Sequence, residues 1–487
     1  PNTTLLSSAA SDVYKRQGFY GINTQDSPVD MDQRFCWEAN NCVIDFFGRV
    51  SSRRGFQYMT TNPQILGGNP IEQMYEFIRQ DTGESFIFCC GNNANYFQQQ
   101  TDPFELVVVT LPVGYTISNN NWDFASLNNK CYLVQKGQKP LVFDPVVDKT
   151  ALREWTQYPQ ASNGGLVSFN SVHAAFGRLW VSAFDDDSGI FEWSGLLDGE
   201  DWSSNGHGGA QTGLYWPSGY DSITAIKAHN DFLVIFGRSD ILVYTTTSDV
   251  ASTLSLTDTI EGLGCIARDS IVPTGADFMF ADATGIRSLN RTVQEKSVPI
   301  GDISRNVRDE FQEALANEFE DQIKAIYHVE DSFYCCFLPN NPLTYVFDTR
   351  ELLPNGSGRA TTWTQVRPRC GVRLESRQTL FGGDGGVYRY RGGNDLGLDE
   401  QDNVTEVVQN IPMSFITHPF DFGDSSTLVF PKQVDVTIVN SYGGELTLRW
   451  GYDYARTIEP RSITEKLNDA SLFTLYYPGG TPTTTQF

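Results

Sequence analysis

The stretch KAHNDFLVIFGRSDILVY (227–244) holds two short apolar runs, and each run follows a turn rich in Asn, Asp or Gly. Runs of Phe, Tyr, Val and Ile bounded by such turns predict two β-strands that pair as a tight hairpin. The pattern occurs seven times, at intervals of roughly 45–56 residues, and therefore indicates a repeat architecture. The seven copies span 80–98, 126–144, 174–193, 227–244, 272–289, 328–348 and 374–390.

Further strands flank these hairpins. One precedes the pair in SITAIKAH (222–229) and KAIYHV (324–329), and another follows it in TLSLTDTI (253–260) and TTWTQV (361–366). Four antiparallel strands in each repeat are typical of a β-propeller blade, so we predict an all-β propeller of about seven blades, with six to eight compatible with the boundaries. Little strand material follows the seventh copy, and NCVIDFF (41–47) is expected to complete that blade. One or two β-sandwiches are the alternative fold.

The remaining segments have different characters. SSAASDVYKRQ (7–17) resembles a translated sequencing adapter, so residues 1–17 are expected to be a non-native remnant. Residues 18–60 are interpreted as an N-terminal docking arm and hairpin, and 61–392 as the propeller. Residues 393–487 are interpreted as a small antiparallel β-sandwich-like domain, with truncation at its end left open.

One helix is expected within the propeller, as an insertion at 301–322. Its apolar residues recur four positions apart, which is the period of one helix face. They are Ile303, Val307, Phe311, Leu315 and Phe319. We expect this stripe to pack on the propeller and the acidic face to be solvated, with a subunit contact as the alternative.

Charge limits the classes of partner. The chain has 487 residues with 35 Lys and Arg against 59 Asp and Glu, for a net charge of −24. Such an acid excess argues against duplex DNA or an anionic membrane as a tightly held partner, because phosphate binding needs Lys and Arg. The sequence has no apolar run of eighteen or more residues, so no transmembrane helix is predicted.

Residues that carry chemistry are sparse. The nine cysteines include the adjacent pairs Cys89–Cys90 and Cys335–Cys336, and we expect all to be reduced core residues. The sequence has no nucleophile elbow, phosphate loop or metalloprotease helix, and its five histidines are scattered. We therefore predict a protein that is not an enzyme, with no catalytic residues and no cofactor.

Two kinds of segment keep an alternative open. Asp185, Asp186 and Asp187 could ligate Ca²⁺, but three adjacent carboxylates in a hairpin turn favour an exposed loop, so no metal is assigned. The segments LYWPSGY (214–220) and WSGLLDGEDW (193–202) could form sugar-stacking platforms. Packing of Trp193, Trp202 and Trp216 against blade edges is the favoured interpretation.

The N-terminal segment GINTQDSPVDMDQRFCWEANNCVIDFFGRVSSRRGF (21–56) has a more specific pattern. Its second half predicts a hairpin that turns at Phe47–Gly48. Arg49, Arg53 and Arg54 follow this turn. In so acidic a chain, the three arginines are candidate docking residues for an acidic neighbour, although local charge balance explains them equally well.

This opening, together with FEWSGLLDGEDW (191–202) and GCIARDSIVPTGADFMFADATGIRSL (264–289), resembles the tail nozzle or tail tubular protein B-like virion proteins of short-tailed bacteriophages. The resemblance covers roughly residues 18–450, with Gly199 where that family usually has Pro. It implies a structural protein of the phage tail in the virion, assembled in the host cytoplasm. The implied assembly is a homo-oligomeric ring, with a hexamer favoured, that contacts the tail adaptor and portal-proximal proteins. DNA would pass during ejection without tight binding. The resemblance supplies no catalytic residue.

Two other functions stay open at this stage. One is a receptor- or glycan-binding propeller, such as a tail-tip adhesin or a glycosidase-like protein. The other is an unrelated propeller scaffold, for example on a bacterial surface. A glycan site would gather acids and aromatic residues on one propeller face, whereas a tube subunit would place apolar edges at its ring contacts.

Overall fold

The structure is a computed structural model. It describes residues 18–27, 30–45, 47–59, 66, 69–97, 106–117, 121–159, 168–184, 189–203, 207–211, 214–229, 231–246, 250–275, 277–289, 302–341, 343–364, 367–384, 386–392, 395–398, 404–419, 433–439, 445–449, 462–466, 470–476 and 483–486. The candidate metal residues Asp185, Asp186 and Asp187 lie outside the described residues.

Five short strands lie in the N-terminal part. They are β1 (Gly21–Ile22), β2 (Phe35–Asn40), β3 (Cys42–Ile44), β4 (Val50–Ser52) and β5 (Phe56–Tyr58). Strands β3 and β4 form the expected hairpin, in which Ile44 pairs with Val50. Gly48 has a φ of +77° in its turn, a conformation that glycine adopts without strain.

The seven repeats form seven successive sheets, which we number as blades 1 to 7. Blades 1 to 4 each have four antiparallel strands. These strands are β6 (Gln73–Ile78), β7 (Ser85–Cys90), β8 (Ala94–Phe97), β9 (Leu106–Val108), β10 (Trp122–Leu127), β11 (Lys130–Gln135), β12 (Leu141–Phe143), β13 (Arg153–Glu154), β14 (Phe169–Ala175), β15 (Arg178–Phe184), β16 (Phe191–Trp193), β17 (Gly209–Gln211), β18 (Ile223–His229), β19 (Phe232–Gly237), β20 (Ile241–Thr245) and β21 (Ser255–Ile260).

Blades 5 to 7 are less regular. Blade 5 has three strands among the described residues, blade 6 carries an added parallel strand from β2, and blade 7 takes its outer strand from β5. Their own strands are β22 (Val272–Pro273), β23 (Phe278–Asp282), β24 (Gly285–Ser288), β25 (Lys324–His328), β26 (Phe333–Phe337), β27 (Thr344–Asp348), β28 (Arg359–Trp363), β29 (Pro368–Arg373), β30 (Thr379–Gly383) and β31 (Gly386–Tyr390).

The all-β propeller is therefore confirmed, and the sandwich alternative is wrong. The predicted count of about seven blades needs refinement, because within the described part of the chain six blades are complete and the three-stranded sheet is a partial one. Each quoted repeat is the hairpin of the second and third strands of its blade. Local turns mark where each such hairpin begins. In the turn of blade 2 that joins β10 to β11, Asn128 and Asn129 have positive φ angles of 49° and 60°.

The ring closes differently from the prediction. NCVIDFF (41–47) does not complete blade 7; instead β5 pairs with β31, with Phe56 opposite Tyr390. The segment 42–44 is already paired in its own hairpin, and therefore the next strand along the chain fills the blade edge. A shared core closes the circle, because Met74 and Cys89 of blade 1 pack with Val372 and Leu380 of blade 7.

Apolar clusters between neighbouring blades hold the other contacts. Phe88 of blade 1 packs in one cluster with Trp122 of blade 2, and Val234 of blade 4 packs in another with Phe280 of blade 5. A blade covered on both faces needs strands that are apolar throughout, as in the SFIFCC strand of blade 1. All nine cysteines are buried and free, as expected.

The inserted helix is shorter than predicted. It spans Arg308–Ala316 after a 3-10 turn at Arg305–Val307, and a four-residue helix lies at Val250–Thr253. The predicted start at 301 is wrong because the Asp302 carboxylate accepts hydrogen bonds from Ser304 and Arg308 and holds a turn there. Four members of the apolar stripe are buried, but Phe319 lies beyond the helix end and is 68% exposed.

The chain divides into two compact units. Among the described residues, the propeller unit comprises those within 18–25 and 39–414, and the other comprises those within 26–38 and after 414. The strands after the propeller are β32 (Asp395–Leu398), β33 (Val404–Gln409), β34 (Ser414–Thr417), β35 (Gln433–Val439), β36 (Glu445–Arg449), β37 (Ser462–Lys466), β38 (Ala470–Tyr476) and β39 (Thr483–Gln486). Strands β35, β38 and β39 form an antiparallel sheet, and β36 pairs with β37. The domain boundaries drawn from the sequence remain predictions.

Candidate functional site

A buried polar cluster lies at the centre of the ring. We define the central cluster as Asn121, Asn170, Arg268, Asp269 and Lys324. Arg268 begins a 3-10 turn that leads into blade 5, and its guanidinium donates to the side chains of Asn121, Asn170 and Asp269. The Arg268 Nε–Asp269 Oδ1 distance is 2.9 Å, and the second bond of this pair measures 2.8 Å.

Lys324, at the start of blade 6, extends the cluster. Its ammonium donates to the backbone carbonyl of Glu72 and to Gln73 Oε1 at 3.1 Å. It also lies 3.8 Å from Asp269 Oδ2. Because Gln73 belongs to blade 1 and Lys324 to blade 6, this contact bypasses blade 7.

The partners of the central cluster come from blades that are not neighbours. Arg268 of blade 5 reaches Asn170 of blade 3 and the carbonyl of Trp122 in blade 2, the latter at 2.8 Å. Arg268 and Lys324 are only 5% and 3% exposed. Side chains that join non-neighbouring blades of a ring span the opening between them, so the central cluster fills part of the central opening at this level.

The charges of the central cluster are satisfied by one another. Burial alone would raise the pKa of Asp269, but Arg268 and Lys324 outweigh burial and hold it below its usual range. Burial likewise disfavours the charged form of Arg268, and Asp269 and Asp123 reverse this and raise its pKa. An ion pair of this kind is costly to break on one side only, because the other charge is left buried. The central cluster is therefore suited to holding the blades together.

Two further polar side chains join the inner strands of neighbouring blades. Asp123 Oδ2 of blade 2 accepts from the backbone N–H of Val172 in blade 3 at 2.9 Å. His173 Nε2 of blade 3 accepts from the N–H of Ala228 in blade 4 at 3.0 Å. Burial lowers the pKa of His173 to about 3, so its imidazole is neutral and remains an acceptor at ordinary pH.

The segment 191–202 forms a second polar contact between blades, which we call the Glu200 clasp. Its members are Arg153, Thr156 and Glu200. Both guanidinium Nη atoms of Arg153 donate to the carboxylate at 2.6 Å, and the Thr156 N–H donates at 2.8 Å. Burial would raise the pKa of Glu200, but Arg153 and Thr156 lower it to about 2.

Close packing around the Glu200 clasp explains Gly199. A Cβ at this position would lie 2.5 Å from Leu179 and 2.6 Å from the Tyr132 ring. The nearby Trp155 and Trp202 rings are stacked, with centroids 6.0 Å apart. A residue with a Cβ therefore has no room at position 199, which the sequence alone did not reveal.

The three predicted docking arginines have different environments. Arg53 is fully buried and forms a two-bond pair with Asp395 at 2.9 and 2.8 Å, so we withdraw it as a residue that could meet a partner. Arg49 is 78% exposed beside Asp45, and Arg54 is 46% exposed beside Glu330 and Asp331. Docking through Arg49 and Arg54 stays a prediction.

The other sequence candidates are accounted for by packing. Trp193 and Trp216 are each 5% exposed, and Trp202 is stacked on Trp155, as the packing interpretation expected. The sequence did not single out Arg268, Asp269 or Lys324. The signal that could have indicated them is a charged residue directly before an apolar strand, as in the ARDSIV segment.

Two kinds of feature are absent from the described residues. These residues contain no group of three or more His, Cys, Asp or Glu residues placed to hold a metal ion. Nor do they include a helix whose length and apolar character would let it cross a membrane.

Comparison with known proteins identifies no family for this chain. No family model and no curated protein matches the chain. Among solved structures, it is similar to the crystal structure of the WD40 β-propeller domain of Doa1, with a TM-score of 0.39 and 8% identity. The similarity covers 69% of this chain and 91% of that chain. So distant a likeness says nothing about function, and the assignment of a propeller rests on the sheets themselves.

Proposed function

We propose that this protein is a structural subunit of a bacteriophage tail tube or nozzle, non-enzymatic, which forms a closed ring through which the genome passes. A propeller is well suited to a binding or scaffold role in general. The more specific proposal rests on the resemblance of three sequence segments and on one observation, the way that the chain uses its basic residues.

Many basic side chains are paired with the chain's own acids, while the net charge is −24. These pairs include Arg79 with Asp81 and Glu84, Lys149 with Glu84, Arg153 with Glu200, Arg238 with Glu320, Arg350 with Asp348, and Arg369 with Glu72 and Asp384. A conduit should not hold DNA, because even weak binding to each phosphate accumulates along the duplex. A surface on which Lys and Arg are paired with acids, and on which acids are in excess, would not hold DNA.

The central cluster constrains the route of the genome. Its side chains fill part of the central opening of the propeller, so DNA does not pass through the middle of a single subunit. The channel in this proposal is the opening enclosed by several subunits. Because like charges oppose assembly, the subunit contacts have to be mostly apolar or neutral.

The proposal is tested by measuring DNA affinity. A short fluorescent duplex at low salt, where electrostatic attraction is strongest, should show no change in anisotropy when the purified chain is added. Tight binding by the unmodified chain would contradict a low-friction conduit.

A charge-reversal variant provides the matched control. Glu84 lies 2.9 Å from Arg79 and 2.6 Å from Lys149, so Glu84→Lys would create three adjacent cations. This variant should gain DNA affinity that disappears as salt is raised. If it also fails to bind, pairing of basic residues is not what keeps DNA away.

A further inference from the structure

The loop between blades 3 and 4 exposes two aromatic rings. Tyr215 is 77% exposed and Tyr220 is 82% exposed, whereas Trp216 between them is 5% exposed. In the part of the chain that the structure describes, neither tyrosine makes a hydrogen bond or a ring contact. The fold therefore gains almost nothing from these two rings, and an unexplained aromatic residue on a loop points to binding.

The two tyrosines flank a tight turn. The Gly219 N–H donates to the Trp216 carbonyl at 3.0 Å, and Pro217 occupies the second position of this turn, where its fixed φ is favourable. Tyr215 and Tyr220 are the residues directly before and after the turn, on its two arms. Both exposed rings therefore belong to the same loop, at the two ends of one tight turn.

Two buried carboxylates hold this loop in place. Asp221 is 5% exposed and accepts from the backbone N–H groups of Arg238, Ser239 and Asp240 at 2.8 to 3.1 Å. Asp240 is fully buried and accepts from the Ser218 N–H at 3.0 Å. Because the turn is fixed before any ligand arrives, binding would not have to order it.

A polar pair borders the same loop. The Arg238 backbone binds Asp221, and its guanidinium pairs with Glu320; the two side chains are 50% and 46% exposed. Arg238 is thus neutralised, yet the pair still offers hydrogen-bond donors and acceptors to a ligand.

We propose that Tyr215 and Tyr220 form a binding platform for a neutral oligosaccharide. The apolar faces of sugar rings stack on aromatic faces, and their hydroxyl groups match the Arg238–Glu320 pair. Rings this exposed form an open platform and not an enclosed cage for a cation. The acidic surroundings disfavour an anionic polymer. This binding site is additional to the ring-forming role and does not depend on it.

The test titrates the full chain with three neutral oligosaccharides of glucose or N-acetylglucosamine: maltohexaose, cellohexaose and chitohexaose. Saturation-transfer NMR monitors the binding of each one. At least one should bind saturably. Tyr215→Ala with Tyr220→Ala should weaken binding by about tenfold or more, because both stacking surfaces are lost. Tyr215→Phe with Tyr220→Phe keeps the rings and should retain most of the affinity.

A control lies on another loop. Val146→Ser with Val147→Ser removes exposed apolar side chains, 68% and 76% exposed, and should leave sugar binding unchanged. Several outcomes overturn the proposal: no saturable binding of any of the three sugars, or equal binding by the alanine variant. If tetramethylammonium binds and no sugar does, the ligand of the two tyrosines is a cation. If the chain self-associates and the alanine variant does not, the two tyrosines bind a second copy of the chain.

Discussion

Two arginine–carboxylate pairs join separate segments of this propeller, and they differ in their access to water. Arg53 and Asp395, at the seam where the ring closes, are 0% and 5% exposed. Arg153 and Glu200, in the Glu200 clasp, are 36% and 8% exposed. The seam pair also positions β5, because Asp395 accepts from the Phe56 N–H at 2.9 Å. Exposure, and not merely the kind of pair, should therefore set the cost of breaking each one.

The largest effect is expected at the seam. Asp395→Ala leaves the Arg53 guanidinium buried without its partner and should lower the free energy of unfolding by about 3–5 kcal/mol. Chemical denaturation followed by tryptophan fluorescence measures this loss. The double variant Arg53→Met with Asp395→Leu removes both charges and should recover most of the stability. An Asp395→Ala variant as stable as the parent would show that the seam pair does not close the ring.

A smaller loss is expected beside the Glu200 clasp. Gly199→Ala places a Cβ against Tyr132 and Leu179, and should cost about 1–3 kcal/mol through overpacking. Gly83→Ala is a suitable comparison because no atom lies within 4 Å of its Cβ position, although its φ of +73° adds backbone strain. A Gly199→Ala variant as stable as the parent would rule out crowding at this position.

The Glu200 clasp should also depend on pH. The pKa of Glu200 is lowered from 4.5 to about 2 in the folded protein, so its stabilisation is present above the unfolded value. It should be lost as pH falls from about 4.5 towards 2. Comparing the parent chain with Glu200→Gln by thermal unfolding across this range isolates the contribution. If their difference in stability does not shrink on acidification, the carboxylate is not the group responsible.

The smallest effect is expected at Arg54, the sequence neighbour of Arg53. Its pair with Glu330 is about half exposed on both sides, so Arg54→Ala should change stability by only about 0–1 kcal/mol. High salt should reduce that difference further, because exposed charges are screened. A loss as large as that of Asp395→Ala would contradict the comparison on which these predictions rest.

Local patterns made the repeated hairpins predictable, while contacts between distant segments were not. Turn residues such as Asn128 and Asn129 mark the start of their repeat within a few positions, and all seven copies were therefore found. The closing strand pairs with a strand far away in the sequence. The hydrogen bond between Tyr58 and Tyr388 joins residues that are 330 positions apart. No local signal distinguished Phe56–Tyr58 from NCVIDFF (41–47) as that strand.

The same limit applied to the polar sites. Arg53 was noticed because it lies among arginines, but its partner Asp395 lies in the segment 393–487, which was interpreted as a separate domain. Arg268 and Lys324 became a site only when folding brought distant blades to one axis. Tyr215 and Tyr220 were within a quoted aromatic segment, yet the sequence drew attention to Trp216, which is buried. Burial decided which aromatic residue remained available.

Cryo-electron microscopy of the purified full chain most directly tests the central claim, that the protein forms a ring around a channel and does not conduct DNA through its propeller axis. The predicted result is a closed ring, with a hexamer favoured, whose lumen is acidic and lies between subunits, while the central cluster fills part of the central opening of each propeller. A lumen lined with Arg and Lys, or a strictly monomeric chain with an open propeller axis, would contradict the claim.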